Sequence, residues 1–255
     1  METDSVSELL KMAAKRHDFL LALHDGILSK SEMEQSVDAS RPTIDRAFRE
    51  LEDAGLLSSQ GTSYELTNFG YLFCDQFSQT VRTYETLSDA RTLLSHLPRK
   101  AGIDMRLVDG ADVYQAAEFA PQETFKEITA IVEESDVILG YSSALMPFYV
   151  EVFTDRIVEA GTETTLILTE DIVDMLRTNY REELDAVLAA ENCSLYRTPV
   201  INTWGVVVAN GTVGVPVGDE RDRLRGVIVN DSDAAVEWAT EYLDDLIETN
   251  AERVT

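Results

Sequence analysis

The feature that most constrains the fold is a short helical pattern that follows Ser40. Four apolar residues recur at positions i, i+3, i+4 and i+7: Ile44, Ala47, Phe48 and Leu51. This spacing predicts a helix that buries one face. Ser40 is a favourable N-cap, Pro42 stands in the first turn where its missing N–H costs nothing, and Gly55 ends the segment. The opposite face is polar and carries Arg41, Thr43, Arg46 and Arg49.

Two helices before this segment and a hairpin after it complete a small domain. The first helix has apolar residues at helical spacing and a C-cap glycine at Gly26: Phe19, Leu20, Leu23 and Ile27. Ser29 or Ser31 caps a second helix over residues 32–37. Two extended segments around the polar, glycine-containing tip 58–63 predict a β-hairpin. We therefore predict an N-terminal winged helix-turn-helix over residues 1–67, with the hairpin as its wing.

The run from Ser40 to Gly70 resembles archaeal winged-helix regulators. In such modules the third helix enters the major groove of double-stranded DNA. The resemblance implies that Arg41, Thr43 and Arg46 meet base edges, because Arg can bind guanine and Thr can contact a thymine methyl group. The other expected contacts position the protein on the DNA, largely through phosphates: Ser40, Arg49, Ser59, Gln60 and Thr62.

The charge is strongly acidic, with 21 Lys and Arg against 47 Asp and Glu and a net charge of −26. The acids are spread through both halves, which is typical of a haloarchaeal protein hydrated in a salt-rich cytoplasm. In such salt, counterion release contributes little to DNA affinity, so a large Lys patch is not needed. A winged helix that docks a protein partner remains the alternative. We expect a cytoplasmic protein without a membrane partner, since no apolar run approaches membrane-spanning length.

The second half alternates strands and helices before it ends in hairpins. Strands are predicted at 136–140, 164–169 and 194–197, with helices over 149–160, 170–177 and about 184–188. Extended segments at 205–209, 212–217 and 224–230 follow, with tight turns at Asn210-Gly211 and Gly218-Asp219. A last helix covers 234–250. This order predicts an α/β mixed sheet, and the chain is α/β overall.

The close of the chain is similar to one archaeal family. The run from Val229 through Trp238 to Leu243 resembles the C-terminal domain of the methanogenesis-regulator (filamentation-regulator) family of winged-helix proteins. The resemblance implies a sensor of a small-molecule effector over residues 101–255. Open α/β sheets bind ligands at the carboxyl ends of their parallel strands. We expect the ligand residues there and in the following loop: Tyr141, Ser142, Ser143, Thr169, Arg197 and Trp204. Alternatively, the two aromatic residues pack and Arg197 pairs with an acid.

Residues that would support catalysis, a cofactor or a metal are scarce. His17, His24 and His96 all precede the predicted α/β domain, and no phosphate loop or dinucleotide motif occurs. Cys74 and Cys193 are isolated and form neither a disulfide framework nor a zinc site. We predict no enzyme, no cofactor and no metal. An enzyme acting on a nucleotide or sugar phosphate remains a third reading.

A long helix is predicted from residue 68 to about residue 97, with a possible break, and residues 68–100 form a linker or dimerisation segment. Its apolar residues either contact a second copy in a homodimer or pack on their own winged helix: Phe69, Leu72, Phe73, Phe77, Tyr84 and Leu87.

Overall fold

The computed structural model describes residues 6–26, 29–60, 63–98, 101–117, 124–133, 135–221 and 223–255. The chain divides into two compact units, residues 1–84 and 85–255. The division falls within the long helix that the sequence predicts. Helices and strands occur in both units, so the chain is α/β overall.

The N-terminal unit consists of four helices, a hairpin and the first part of a fifth helix. Its elements are α1 (Val6–Lys15), α2 (His17–His24), α3 (Lys30–Ser36), α4 (Arg41–Asp53), β1 (Leu57–Gln60), β2 (Ser63–Leu66) and α5 (Asn68–Leu94). The strands pair antiparallel, with Leu57 opposite Leu66. All four apolar residues predicted on the inner face of α4 are fully buried. The pattern after Ser40 therefore predicts both the helix and its buried face correctly.

Local chemistry fixes the ends of these helices. Ser29 and Glu32 form a reciprocal capping box, so α3 begins at Lys30, two residues before the predicted start. Gly26 and Gly55 follow α2 and α4 with φ values of 90° and 76°, which favour glycine. Ile27 lies outside the described residues.

The long helix α5 runs without a break from Asn68 to Leu94. Thr67 caps its start, because its Oγ1 accepts a hydrogen bond of 2.9 Å from the Gly70 backbone N–H. A Cβ atom on Gly70 would lie 1.9 Å from the Leu56 carbonyl oxygen, so only glycine fits this approach. Phe73, Cys74 and Phe77 join the N-terminal core, whereas other apolar residues of α5 are exposed: Phe69, Leu72 and Tyr84.

One eight-stranded sheet forms the centre of the C-terminal unit. Its spatial order is β10-β6-β5-β4-β7-β8-β9-β3. The strands are β3 (Asp112–Gln115), β4 (Val137–Ser142), β5 (Glu163–Thr169), β6 (Cys193–Thr198), β7 (Val206–Ala209), β8 (Thr212–Gly218), β9 (Leu224–Asn230) and β10 (Glu252–Arg253). β4, β5 and β6 are parallel, and the other pairings are antiparallel. The predicted mixed sheet is confirmed, although the sequence analysis did not predict β3 or β10.

Helices cover both faces of this sheet. The remaining helices are α6 (Met105–Val108), α7 (Phe125–Glu133), α8 (Pro147–Thr154), α9 (Glu170–Asn179), α10 (Arg181–Ala189) and α11 (Asp233–Asn250). Residues of α11, including Trp238 and Leu243, pack with Tyr141 and Val215 in one core cluster. α7 contributes to a second cluster, and α8, α9 and α10 contribute to a third.

Three local predictions in this unit meet different outcomes. The tight turn at Asn210-Gly211 is confirmed, with φ values of 51° and 72°. The tight turn at Gly218-Asp219 is wrong, because residues 219–223 separate β8 from β9 and Asp219 organises this longer loop. The helix predicted over 149–160 is α8 followed by a π-helical turn, Asp155–Glu159. Among the described residues, no helix has the length and apolar character that crossing a membrane requires.

Candidate DNA-binding and ligand sites

The predicted DNA contacts lie on the outer face of α4, whose inner face is packed in the N-terminal core. Ser40, Arg41, Thr43, Arg46 and Arg49 are all exposed. All five side chains are therefore accessible to a ligand, while their contact with DNA stays a prediction.

The arginines of this face differ in how firmly they are held. Arg41 Nε lies 3.5 Å from Glu34 Oε1, and the Arg41 side chain is 83% exposed. Arg49 Nε donates to the Asp45 backbone carbonyl at 3.1 Å. Arg46 has neither a hydrogen bond nor an ion pair with any described residue. Its guanidinium therefore keeps its full set of donors.

Two carboxylates of α4 are neutralised within the unit. Lys30 Nζ lies 2.7 Å from Asp45 Oδ1, and this hydrogen bond holds the pKa of Asp45 below its usual range. Arg16, itself almost fully buried, donates to Glu50 at 2.9 Å, and Lys15 donates at 3.0 Å. The Arg16 hydrogen bond is the main reason that the pKa of Glu50 falls from 4.5 to about 2. These pairs reduce the negative charge next to the exposed arginines.

The predicted wing contacts are only partly described. Ser59 is exposed on β1, and Gln60 pairs with Ser63 through the backbone. The side chain of Gln60 and the whole of Thr62 lie outside the described residues. At the start of α4, Ser40 Oγ lies 2.9 Å from Thr43 Oγ1, and no hydrogen bond from Ser40 caps the helix. The Ser40 hydroxyl is therefore paired with a second exposed polar group of the same face.

The C-terminal unit contains a cavity of about 390 Å³ beside the end of β4. Its described lining combines small, aromatic and cationic residues: Ala116, Ala117, Ser142, Ser143, Ala144, Met146, Tyr149, Thr203, Trp204, Gly205, Pro216, Gly218, Arg223, Leu224 and Arg225. A second, more apolar cavity of about 120 Å³ adjoins it. Ser142, Ala144, Tyr149 and Pro216 line both, so the two cavities are neighbours that share one wall.

The two arginines of the larger cavity share one carboxylate. Asp219 Oδ2 accepts hydrogen bonds from Nε and Nη2 of both Arg223 and Arg225, over 2.6–3.0 Å. Asp219 Oδ1 accepts from the backbone N–H groups of Arg221 and Arg223. Burial opposes ionisation of Asp219, yet these hydrogen bonds hold its pKa well below the usual range. Two cations on one anion leave a net positive charge at the cavity wall.

The predicted ligand residues fall into two groups. Ser142, Ser143 and Trp204 line the larger cavity, and Tyr141 and Ser142 line the smaller one. Thr169 and Arg197 line neither. Thr169 is buried before α9, and Arg197 Nη2 lies 2.7 Å from Glu252 Oε2 of the edge strand β10. Arg197 therefore already has a carboxylate partner where the sequence analysis placed a ligand anion.

Hydrogen bonds fix the predicted residues to the loop before β7. Tyr141 Oη donates to the Val200 carbonyl at 2.9 Å and accepts from the Asn202 N–H at 3.1 Å. Ser143 Oγ donates to the Asn202 carbonyl. Trp204 is buried, and its Nε1–H has no acceptor among the described residues. Both aromatic residues also belong to the main core cluster, so they pack as well as line a cavity.

Arg223 and Arg225 are cavity residues that the sequence analysis missed. Their alternation in the run from Asp219 to Arg225 offers a signal, because residues i and i+2 of a strand point to the same side. The incorrect prediction of a tight turn at Gly218-Asp219 kept the sequence analysis from recognising this alternation. No cluster of His, Cys, Asp and Glu able to hold a metal occurs within the described ranges.

Comparisons with known proteins give two family matches and several similarities to solved structures, among them those to an archaeal chromatin protein and to a phospholipase D family member. No curated protein matches this chain. The structure of TrmBL2, an archaeal chromatin protein with a described novel mode of DNA binding, is 15% identical, with a TM-score of 0.45 over 89% of this chain and 88% of that one. The phospholipase D family member Nuc from Salmonella typhimurium is 13% identical, with a TM-score of 0.40 over 57% of this chain and 97% of that one. At these TM-scores neither similarity establishes a shared fold.

The family models cover most of the chain. The HVO_A0261 N-terminal domain matches residues 4–89. The middle domain of the methanogenesis regulatory protein FilR1 matches residues 121–249. That second match contains both cavities apart from Ala116 and Ala117. The chain belongs to the FilR1 family of regulatory proteins, as the resemblance in its sequence implies.

Proposed function

We propose that this chain is a transcription regulator that binds promoter DNA through α4 and is controlled by a small molecule bound in its C-terminal unit. The exposed face of α4 is the observation that carries the proposal. It presents three arginines and two hydroxyl groups from a helix whose other face is buried. Membership in a family of regulatory proteins supports the same function.

Each part of the face has a distinct role in this proposal. Arg46 has no partner among the described residues, so its planar guanidinium is available to bind a guanine edge with two hydrogen bonds. Arg41 lies five residues earlier, or about one and a half turns, and Thr43 lies between them, where they contact neighbouring bases. Arg49 and Ser59 contact phosphates, which set the position of the protein without reading sequence.

The acidic character of the chain is compatible with this role. Asp45 and Glu50 lie on α4 itself, but each is paired with a cation of the same unit. A phosphate near Arg46 therefore meets less repulsion than the net charge of −26 suggests. Exposed charges separated by more than a Debye length are also screened, and that length is about 3 Å in molar salt.

Ligand control and dimerisation complete the proposal. The exposed residues Phe69, Leu72 and Tyr84 of α5 supply apolar surface for a second copy. A two-fold dimer presents two copies of α4 to successive major-groove faces. A ligand that binds one arrangement of the dimer more tightly then shifts the population towards it. The C-terminal unit acts as a sensor and not as an enzyme, since no histidine follows His96.

Genome-wide immunoprecipitation of the tagged protein from its own host, at native salt, tests the DNA-binding function. We expect discrete promoter peaks that share an inverted repeat, because a two-fold dimer recognises two half-sites. A variant with Arg46→Ala, expressed at the same level, is the matched control and should show these peaks clearly weakened. Absence of enrichment, together with co-purification of a protein partner, would overturn DNA binding and favour a winged helix that docks proteins.

A further inference from the structure

We infer that the two adjoining cavities of the C-terminal unit bind an anionic amphiphile, a monocarboxylate with an apolar tail. The carboxylate is held at Arg223 and Arg225, and the tail enters the smaller apolar cavity. The inference rests on the proposed function, because it names the class of small molecule that the sensor takes. It assigns a role to residues that neither the sequence analysis nor the family matches identify.

The head-group position follows from the guanidinium geometry. A guanidinium has five N–H donors, and Arg223 and Arg225 each use only those on Nε and Nη2 for Asp219. Both side chains are thus held in place while donors remain for a second carboxylate. Planar guanidinium forks bind carboxylates with two parallel hydrogen bonds. Their fixed position reduces the ordering cost of binding.

The net charge of the cavity wall favours a ligand with a single negative charge. The described lining of the larger cavity contains no acidic residue, and its charged groups are Arg223 and Arg225. Asp219 cancels one of the two positive charges, so one remains for the ligand. The nearby hydroxyls are already committed, since Ser142 donates to Ala144 O and Ser143 donates to Asn202 O. A monoanion therefore matches this position better than a multiply charged phosphate.

The tail position follows from the second cavity. It adjoins the first through Ser142, Ala144, Tyr149 and Pro216. Beyond this shared wall its lining is dominated by aliphatic and aromatic side chains, among them Ile128, Phe153, Leu166, Leu176 and Leu195. Glu183 is the charged residue in its described lining. Its carboxylate would repel the ligand head group, which orients the head towards the arginines.

A series of straight-chain carboxylates tests this assignment on the full-length protein. Butanoate, hexanoate, octanoate and decanoate are titrated at native salt by calorimetry and by tryptophan fluorescence, since Trp204 lies in the cavity wall. We expect affinity to rise by about four-fold for each added methylene until the apolar cavity is filled. The alcohol of the same length should bind about ten-fold or more weakly, because it lacks the charge-assisted hydrogen bonds.

Two variants test the head-group position and the tail position of the ligand separately. Arg225→Gln should lower carboxylate affinity by about ten-fold or more and leave alcohol affinity unchanged, which also shows that the cavity remains folded. Arg221→Gln is the matched control, because it removes an exposed arginine of the same loop that does not line the cavity. Ala144→Phe places a large side chain between the two cavities. It should abolish the increase in affinity with chain length, while butanoate still binds.

The outcomes distinguish the ligand class from the control of DNA binding. Equal affinity for acids and alcohols, no dependence on chain length, or an equal loss in Arg221→Gln and Arg225→Gln overturns the amphiphile assignment. Tight binding of inorganic phosphate with no binding of octanoate overturns it as well, and leaves a sensor of another ligand. Chain-length-dependent binding that does not change DNA affinity supports the assignment and overturns ligand control.

Discussion

The two units use arginine in opposite ways. On α4 the arginines are spread along an exposed face, with Arg41 83% exposed and Arg46 unpaired among the described residues. In the C-terminal unit Arg223 and Arg225 converge on Asp219, whose side chain is 10% exposed. The first arrangement leaves long side chains able to adjust to a large polyanion. The second fixes two guanidinium planes at one cavity, as a small ligand requires.

This difference explains how a strongly acidic chain can keep cations available for the two proposed anion sites. On α4 two neighbouring carboxylates are neutralised by Arg16, Lys15 and Lys30, which leaves the exposed arginines available for the proposed DNA contact. At the cavity the carboxylate is retained as the group that positions the arginines. The net charge therefore predicts neither site, because each depends on which acid lies beside which cation.

The largest expected effect tests whether the unit with the α4 arginines and the unit with Arg223 and Arg225 unfold independently. Gly70→Ala places a methyl group 1.9 Å from the Leu56 carbonyl oxygen, so the start of α5 and the hairpin must move apart. We expect the N-terminal unit to lose about 3 kcal/mol or more of stability and DNA binding with it. Calorimetry should show one transition shifted to lower temperature, while carboxylate binding in the C-terminal unit is retained.

Gln76→Ala is the matched control for this substitution. It introduces the same residue on the same helix, at an exposed position outside the proposed dimer surface. Its effect on stability should stay within about 0.5 kcal/mol. A loss of both transitions in Gly70→Ala would contradict the separation of the units, and an unchanged protein would contradict the close approach at Gly70.

The second prediction concerns the unpaired arginine of α4. Arg46→Ala should weaken binding to the specific operator by about 1–3 kcal/mol and relax the preference at one base pair. Arg49→Ala should weaken binding to specific and random DNA alike, because a phosphate contact carries no sequence information. Fluorescence anisotropy at matched salt measures both. Equal losses on random DNA for the two variants would remove Arg46 from base recognition.

The N-terminal unit was predictable because its signals are local. Helical spacing defines the buried face of α4, Ser29 caps α3, and glycines end α2 and α4 within a few residues of each pattern. Such signals depend on neighbours along the chain. The sequence pattern does not choose between Ser29 and Ser31 as the cap of α3, and the capping box of Ser29 with Glu32 decides it.

The C-terminal unit was less predictable because its key contacts join distant segments. The parallel strands and the Asn210-Gly211 turn follow from local patterns. The edge strands β3 and β10 are short and partly or fully exposed, so they carry no strong pattern. Arg197 meets Glu252 only because β10 adds to β6. Arg223 and Arg225 are held at the cavity because both donate hydrogen bonds to Asp219, at the other end of the segment between β8 and β9.

The third prediction concerns the pH dependence of stability, which should differ between the two units. The pKa of Glu50 is about 2 in the folded protein and near its ordinary 4.5 in the unfolded chain. Its ionised form therefore stabilises the N-terminal unit above pH 4.5, and this contribution is lost as the pH falls towards 2. After solvent screening we expect Glu50→Gln to cost about 1–2 kcal/mol at neutral pH and almost nothing at pH 2.

Chemical denaturation across this pH range measures that effect. The difference between the wild type and Glu50→Gln should shrink steadily from pH 5 downwards and be confined to the N-terminal transition. Glu52→Gln, on the same helix but without the Arg16 contact, should show no such convergence. A constant difference at all pH values would mean that the Arg16 and Lys15 pairs do not stabilise the ionised form of Glu50.

The smallest expected effect contrasts two serines that precede neighbouring helices. Ser29 caps α3 through its side chain, whereas Ser40 Oγ pairs with Thr43 and makes no cap hydrogen bond. Ser29→Ala should therefore cost about 1 kcal/mol of stability and leave DNA specificity intact. Ser40→Ala should cost less than about 0.5 kcal/mol of stability, yet lower DNA affinity about two- to ten-fold if its hydroxyl contacts the DNA. Equal destabilisation by the two variants would make Ser40 an ordinary cap, and the DNA face of α4 would then begin at Arg41.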